Sequence, residues 1–316
     1  MTWQILPGDC RTVLRSLPPD HFHTCVTSPP YFGLRDYGAD GQIGLEQTPD
    51  AFVVELVAVF HEVRRVLRDD GTLWLNLGDS YNAYNANRGA STSISDGTAG
   101  RDHPKHRQGL TTPTLKNKDL IGIPWRVAFA LQADGWYLRQ DIIWQKPNPM
   151  PESVRDRCTK AHEYIFLLSK APRYYFDSEA VREPAVTDDR PRSSWSDRKT
   201  SEPSRQGNTG QSGHITSTGT LASLESRNRR SVWTIATHPF KGAHFATFPP
   251  DLIEPCILAG APRGGHVLDP FNGAGTTGMV SIEHGRTYTG IELNPEYIAL
   301  ATERLASVQP QLPFSA

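Results

Sequence analysis

The chain has 316 residues with 33 Lys and Arg against 34 Asp and Glu, 37% hydrophobic residues and a mean hydropathy of −0.47. That length can bury a large core in one elaborated domain, while the near-neutral balance gives no global argument for a nucleic-acid partner. No apolar run approaches the roughly eighteen residues of a membrane span, no secretory leader opens the chain, and Cys10, Cys25, Cys158 and Cys256 lack CxxC spacing, so a soluble cytoplasmic protein without a zinc site or disulfide framework is expected.

Strand and helix patterns alternate along the chain. Trp3–Leu6 reads as a strand, Arg11–Leu17 as a short helix and His23–Val26 as a buried strand. Asp50–Leu67 has apolar residues at 53, 56, 57, 60, 63 and 67, the period of an amphipathic helix. Strand Thr72–Leu77, helix Pro124–Ala133, strands Leu138–Gln145 and Tyr164–Ser169, and helix Asp251–Leu258 follow. The last part offers strand His266–Leu268, helix Thr276–Glu283, strand Thr287–Glu292 and helix Pro295–Ser307. Such alternation predicts a mostly parallel sheet covered on both faces.

The run LDPFNGAGTTG, Leu268 to Gly278, turns from its strand on Asp269 and Pro270 into a glycine loop that opens a helix. Glycines at 273 and 275 let backbone approach a ligand closely, and the helix N-terminus adds unpaired N–H groups. Glu292, at the end of the next strand, carries a carboxylate suited to both hydroxyls of a ribose. Gly273, Gly275 and Gly278 with an acid about twenty residues on also satisfy the dinucleotide fingerprint. The three residues before the glycines, Asp269, Pro270 and Phe271, separate the readings. A carboxylate at the strand tip repels a pyrophosphate but suits a ligand carrying an ammonium group. S-adenosylmethionine is such a ligand, with adenosine at one end, an amino acid at the other and no phosphate. Asp269 is expected near its methionine moiety and Glu292 at its ribose, with Pro270, Phe271, Gly273, Gly275 and Thr276 forming the loop between them.

Far upstream stands TSPPY, Thr27 to Tyr31. Exocyclic amines of cytosine and adenine are poor nucleophiles because the nitrogen lone pair is delocalised into the ring. Hydrogen bonds from both amino hydrogens, one to Ser28 and one to the carbonyl of Pro29, favour a pyramidal nitrogen. Pro29 and Pro30 restrict φ and hold that carbonyl in a fixed direction. Tyr31 supplies a ring on which an extruded base stacks. An isolated SPPY is equally a Pro-Pro turn after a buried strand, and the glycine loop downstream is what favours the chemical reading. Pro255-Cys256 superficially matches the nucleophile of cytosine ring-carbon methylation, but its helical setting makes Cys256 a buried packing residue.

On these motifs the chain resembles the permuted, β-class amino-methylating DNA methyltransferases of the N4-cytosine/N6-adenine type, in which SPPY or DPPY precedes the glycine loop. The resemblance also covers Pro7-Gly8-Asp9, TSPPYFGLRDYG, GTLWLNLGD at 71–79, IIWQKPNPMPESV at 142–154 and HFATFPPDLIEP at 244–255. It implies a three-layer Rossmann-like fold with circularly permuted motif order and an inserted target-recognition region. It further implies that Asp9 touches the donor adenine, that His244, Phe245 and Phe248 flank the donor pocket, and that the partner is double-stranded DNA with a cognate restriction endonuclease as a further candidate; no metal is expected to be needed, since the sulfonium of the donor is already a strong leaving group.

Two polar segments interrupt the alternation, Asn82–Asp119 and Glu183–Arg230, neither with a sustained hydrophobic period. Residues 85–118 and 153–230 each carry a net +4 in a chain of net −1, as expected of parts that straddle a phosphate backbone, with Arg227, Arg229 and Arg230 the densest cluster. The expected organisation is a catalytic half at 1–170, a target-recognition insertion at 171–230 and a donor-binding half at 231–316. A serine at the head of the acceptor motif favours N4 of cytosine, with N6 of adenine as the alternative. Two remoter readings are a DNA-binding protein with a decayed transferase site, and the same fold acting on RNA or a glutamine side chain.

Overall fold

The computed structural model describes residues 2–34, 39, 41–82, 114–185, 226–237 and 248–309. From the N-terminus, β1 (Trp3–Pro7) leads through α1 (Cys10–Ser16) into β2 (Phe22–Thr27), and α2 (Pro49–Val66) into β3 (Leu67–Leu77). Next come α3 (Ile123–Ala133), β4 (Tyr137–Gln145), β5 (His162–Ser169), the short β6 (Glu183–Pro184) and β7 (Ser226–Arg227), and β8 (Val232–Thr234). The chain continues with α4 (Pro250–Gly260), β9 (His266–Asp269), α5 (Thr276–Glu283), β10 (Thr287–Glu292) and α6 (Pro295–Ala306).

Local chemistry starts the helices where the sequence suggests. Thr48 caps α2 by accepting from the Ala51 amide at 3.1 Å, with Pro49 and Asp50 in the first turn. Asn294 caps α6 in the same way, its side chain accepting from Glu296 N at 2.8 Å.

Eight strands form one sheet in the order β1-β10-β9-β2-β3-β5-β4-β8. All neighbours pair in parallel except β3 with β5 and β5 with β4, so β5 alone runs against the rest. The sheet alternates its side chains between two helical layers. Cys25, Leu73 and Leu75 join Leu56, Phe60 and Val127 of α2 and α3 in one buried core. On the other face Thr24 and Trp74 meet Gly260 of α4, where a Cβ would lie 2.6 Å from Thr24 Oγ1. This is the three-layer α/β architecture expected. β8 carried no sequence signal of its own, because a three-residue strand is too short to display a period.

Two compact units divide the described residues, Met1–Ala180 with Arg230–Ala316, and Val181–Arg229. In the second, β6 and β7 pair antiparallel and Arg227 Nε donates to Glu183 Oε1 at 2.7 Å. Arg227, counted above among the cationic cluster, therefore carries an internal ion pair. In the first, the ends of the polar segment at 82–119 are tied together: Asn82 N donates to Asp119 O at 2.8 Å and Asn82 Nδ2 to Leu115 O at 2.8 Å. Among the described residues no helix is long and apolar enough to cross a membrane.

Candidate active site

β2 and β9 are parallel neighbours at the middle of the sheet, and the chain leaves them in opposite directions, towards β3 from one and towards β10 from the other. Their carboxyl ends therefore open a crevice at a topological switch point, the place where open α/β sheets bind ligands. Ser28 follows the end of β2 and Pro270 the end of β9. Both line one cavity of about 290 Å³, together with Pro29, Pro30, Tyr31, Phe271, Gly273, Thr276, Glu292 and Asp9. Two motifs far apart in the sequence thus share one site.

At the donor end, Glu292 is largely buried. Its Oε2 accepts from Gly273 N at 2.7 Å and its Oε1 from Asn294 N at 2.8 Å. Burial raises its pKa, against the opposing effect of those amides. Asp9 caps α1 and binds Arg11, whose guanidinium also reaches Glu55 at 2.6 Å and the carbonyl of Gly41 at 2.8 Å. The Arg11 hydrogen bond holds the Asp9 carboxyl below its ordinary pKa.

Two residues expected at the donor site, Asp269 and Gly275, do not line the cavity. Asp269 is buried beneath the cavity and is absent from its wall. Its Oδ1 accepts from Thr27 Oγ1 at 2.6 Å and Phe271 N at 3.0 Å, and its Oδ2 from Thr277 Oγ1 at 2.8 Å. With three donors engaged in a site closed to solvent, the carboxylate ties the two loops together. Burial pushes its pKa up to about 6, despite the hydroxyl and amide donors that pull it down. Gly275 likewise turns away from the cavity. It begins α5 in the left-handed region at φ 76°, and a Cβ there would lie 3.0 Å from Ala301 Cβ of α6. Its missing side chain serves helix packing. Gly273, at φ 50°, does line the cavity. His244 and Phe245 lie outside the described residues; Phe248 lines the cavity.

At the acceptor end the walls include four residues to which the motif reading assigned no role: Asn76, Trp144, Lys146 and Glu163. Tyr31 Oη donates to Glu163 Oε2 at 2.7 Å, with Asn76 Oδ1 3.2 Å away. Glu163 also pairs with Lys146, whose ammonium lies 4.2 Å from the centre of the Trp144 ring. Three of the four had a faint signal. Trp144 and Lys146 sit in the IIWQKPNPMPESV segment, and Asn76 is a polar residue in an apolar strand, buried at 4% exposure. Cys256 is buried inside α4, with Sγ 3.6 Å from Leu252 O, as a packing residue.

A DNA methylase family profile, that of the N6/N4 methyltransferases, matches residues 22–303. The chain is 49% identical over 301 residues to the Type II methyltransferase M.XycI of Xanthomonas campestris pv. cyanopsidis, covering 95% of this chain and 87% of the relative. It is 48% identical over 302 residues to M.SmaI of Serratia marcescens, covering 96% and 90%. Among solved structures, the PvuII DNA methyltransferase, cytosine-N4-specific, superposes with a TM-score of 0.63 at 19% identity over 99% of this chain and 88% of that one. A Thermus thermophilus protein solved with S-adenosyl-L-methionine gives 0.59 at 25% identity over 98% and 95%. The fold, the paired motifs and these similarities agree, and the chain belongs to the N6/N4 DNA methylase family.

Proposed function

We propose that this chain transfers a methyl group from S-adenosylmethionine to N4 of cytosine in double-stranded DNA. The observation that carries the reading is that the SPPY residues and the glycine loop with Glu292, remote in sequence, line one cavity. The donor end suits the proposed cosubstrate on two counts. A Cβ at Gly273 would meet only Phe271 O within 4 Å, at 3.9 Å, so the absent side chain is room for a ligand. Each oxygen of Glu292 accepts one amide and retains a second lone pair, which suits a vicinal diol. The Thermus protein, solved with the same molecule, supports the assignment. When bound, that donor supplies a methyl group on a positively charged sulfur, already a strong leaving group.

The acceptor chemistry belongs to the chain itself. The Ser28 hydroxyl and the Pro29 carbonyl accept the two amino hydrogens of an extruded base and direct the nitrogen lone pair towards the donor end. Tyr31 stacks on the ring. Both hydrogen bonds strengthen as positive charge grows on the amine, so they stabilise the transition state more than the bound substrate. A neutral hydroxyl at the head of the motif favours cytosine; N6 of adenine is the alternative within the same family. Target recognition is assigned to residues 171–230, and a cognate restriction endonuclease is the expected companion, in line with the Type II names of the relatives.

The test is direct. Amplified, hence unmethylated, DNA is incubated with the protein and labelled S-adenosylmethionine, then digested to nucleosides for mass spectrometry. Label in N4-methyl-2′-deoxycytidine is expected. Label in N6-methyl-2′-deoxyadenosine overturns the base assignment alone, and label in 5-methyl-2′-deoxycytidine overturns the mechanism.

A further inference from the structure

The acceptor wall is built so that Tyr31 has little freedom, and the antiparallel strand explains how. Because β5 runs against its neighbours, its N-terminal residues arrive at the edge where β2, β3 and β4 end. Glu163 pairs with Trp144 of β4, and Tyr164 beside it pairs with Leu77, the last residue of β3. A carboxylate is thereby delivered to the rim of the crevice, with its side chain at 16% exposure.

That carboxylate is divided between two partners. Oε2 accepts the Tyr31 hydroxyl at 2.7 Å, while Oε1 pairs with Lys146. Asn76 steadies the arrangement, donating from Nδ2 to Tyr164 O at 3.1 Å and presenting Oδ1 to the Tyr31 hydroxyl. The flat of the Tyr31 ring lies against Gly78, where a Cβ would come within 2.4 Å of Cε2. One ring face and the far end of the side chain are thus both held. A tyrosine that only had to supply apolar stacking area would need neither restraint. Stacking itself tolerates sliding, but an in-line displacement loses rate steeply when the reacting atoms shift by about 1 Å.

We propose that Glu163 is a positioning residue for methyl transfer, fixing the plane of Tyr31 through its hydroxyl so that the stacked base presents its amine in line with the donor. This rests on the function proposed above and extends it to a residue outside the SPPY motif. A Glu163 that served only to neutralise Lys146 would leave the transfer rate indifferent to loss of the Tyr31 hydroxyl, which gives the two possibilities different consequences.

The experiment is a double-mutant cycle on the full chain, read as the single-turnover rate on amplified DNA at saturating S-adenosylmethionine, with donor affinity measured by titration calorimetry. Tyr31→Phe and Glu163→Ala are each expected to lower the rate about tenfold, and the double variant to lie within about twofold of either, as for groups acting through one bond. Donor affinity should stay within about twofold of wild type. Glu163→Gln, which keeps an acceptor oxygen for the hydroxyl, should recover most of the rate. A wild-type rate in Tyr31→Phe overturns the inference, and this variant decides alone if Glu163→Ala does not fold, since it changes no charge. An additive loss of about a hundredfold in the double variant also overturns it. Absence of methyl transfer by the wild-type protein on any DNA instead defeats the proposed function, so the two failures are distinguishable.

Discussion

Thr27 Oγ1 donates a hydrogen bond to Asp269 Oδ1 at 2.6 Å, joining the residue before the acceptor motif to the residue that opens the donor loop. Both are buried, at 1% exposure each, and Thr277 Oγ1 closes the other carboxylate oxygen at 2.8 Å. Two loops that must meet within an ångström or so are thereby tied at their roots and not at their tips. This junction makes the site's geometry a property of the core.

The junction has a pH signature. Burial raises the Asp269 pKa from 3.8 to about 6, so between those values the native state holds a proton that the unfolded chain has lost. Its contribution to stability is fully present below about pH 4 and is lost as pH rises through about 6. Asp269→Asn removes the titration. Its amide can donate to Thr277 Oγ1, whose own proton turns to the Val26 carbonyl 3.3 Å away. The difference in urea unfolding free energy between variant and wild type should grow in favour of the variant from about pH 4 to about pH 6 and then level off. A difference independent of pH would show that Asp269 is ionised throughout.

The two glycines of the donor loop should fail differently. In Gly275→Val the side chain meets Ala301 and Leu305 of α6 from a left-handed backbone, and the expected result is a loss of about 1–3 kcal/mol in stability. In Gly273→Val the side chain enters the cavity. That variant, although strained at φ 50°, should lose S-adenosylmethionine affinity by at least tenfold while remaining folded by circular dichroism. Equal donor affinity in Gly273→Val and wild type would remove Gly273 from the donor site.

Ser28→Ala should keep donor affinity and lose roughly a hundredfold or more in methyl transfer, the expected cost of about 2–4 kcal/mol for one transition-state hydrogen bond. Calorimetric titration with the donor and a single-turnover assay on DNA separate the two effects. A normal rate would leave the Pro29 carbonyl as the sole acceptor for the amine.

Gly78→Ala introduces a Cβ 2.4 Å from the Tyr31 ring, backbone-anchored and unable to retreat. The ring must move, and methyl transfer should fall at least tenfold with donor binding intact. Unchanged transfer would mean that the ring can shift without consequence for the base.

Replacing the compact unit Val181–Arg229 by a short Gly-Ser bridge should leave a folded protein that binds the donor and no longer retains DNA selectively in a gel shift. Loss of donor binding as well would show that the unit supports the methyltransferase core. Site-selective retention would move recognition elsewhere, most plausibly to the polar segment at 82–119.

Periodicity and punctuation determined the architecture, because each carries its cause locally. An apolar stripe at helical spacing made α2 visible, and the Asp-Pro turn and glycines placed the start of α5 at Thr276. The pairing of TSPPY with LDPFNGAGTTG also pointed to the N6/N4 DNA methylase family. What those letters lacked was direction. Asp269 and Gly275 belong to the donor motif by position, yet one side chain turns into the core and the open side of the other faces α6. A loop's residues divide between ligand and scaffold only when the neighbouring helix and strand are in place. Glu163 is the converse case. Alone in its strand it is one acid among many, and it joins the site only because β5 runs antiparallel and brings its first residues to the edge where the parallel strands end. Sequence spacing sets what a segment can become; the order and direction of strands, settled by long-range packing, decide which of its side chains meet.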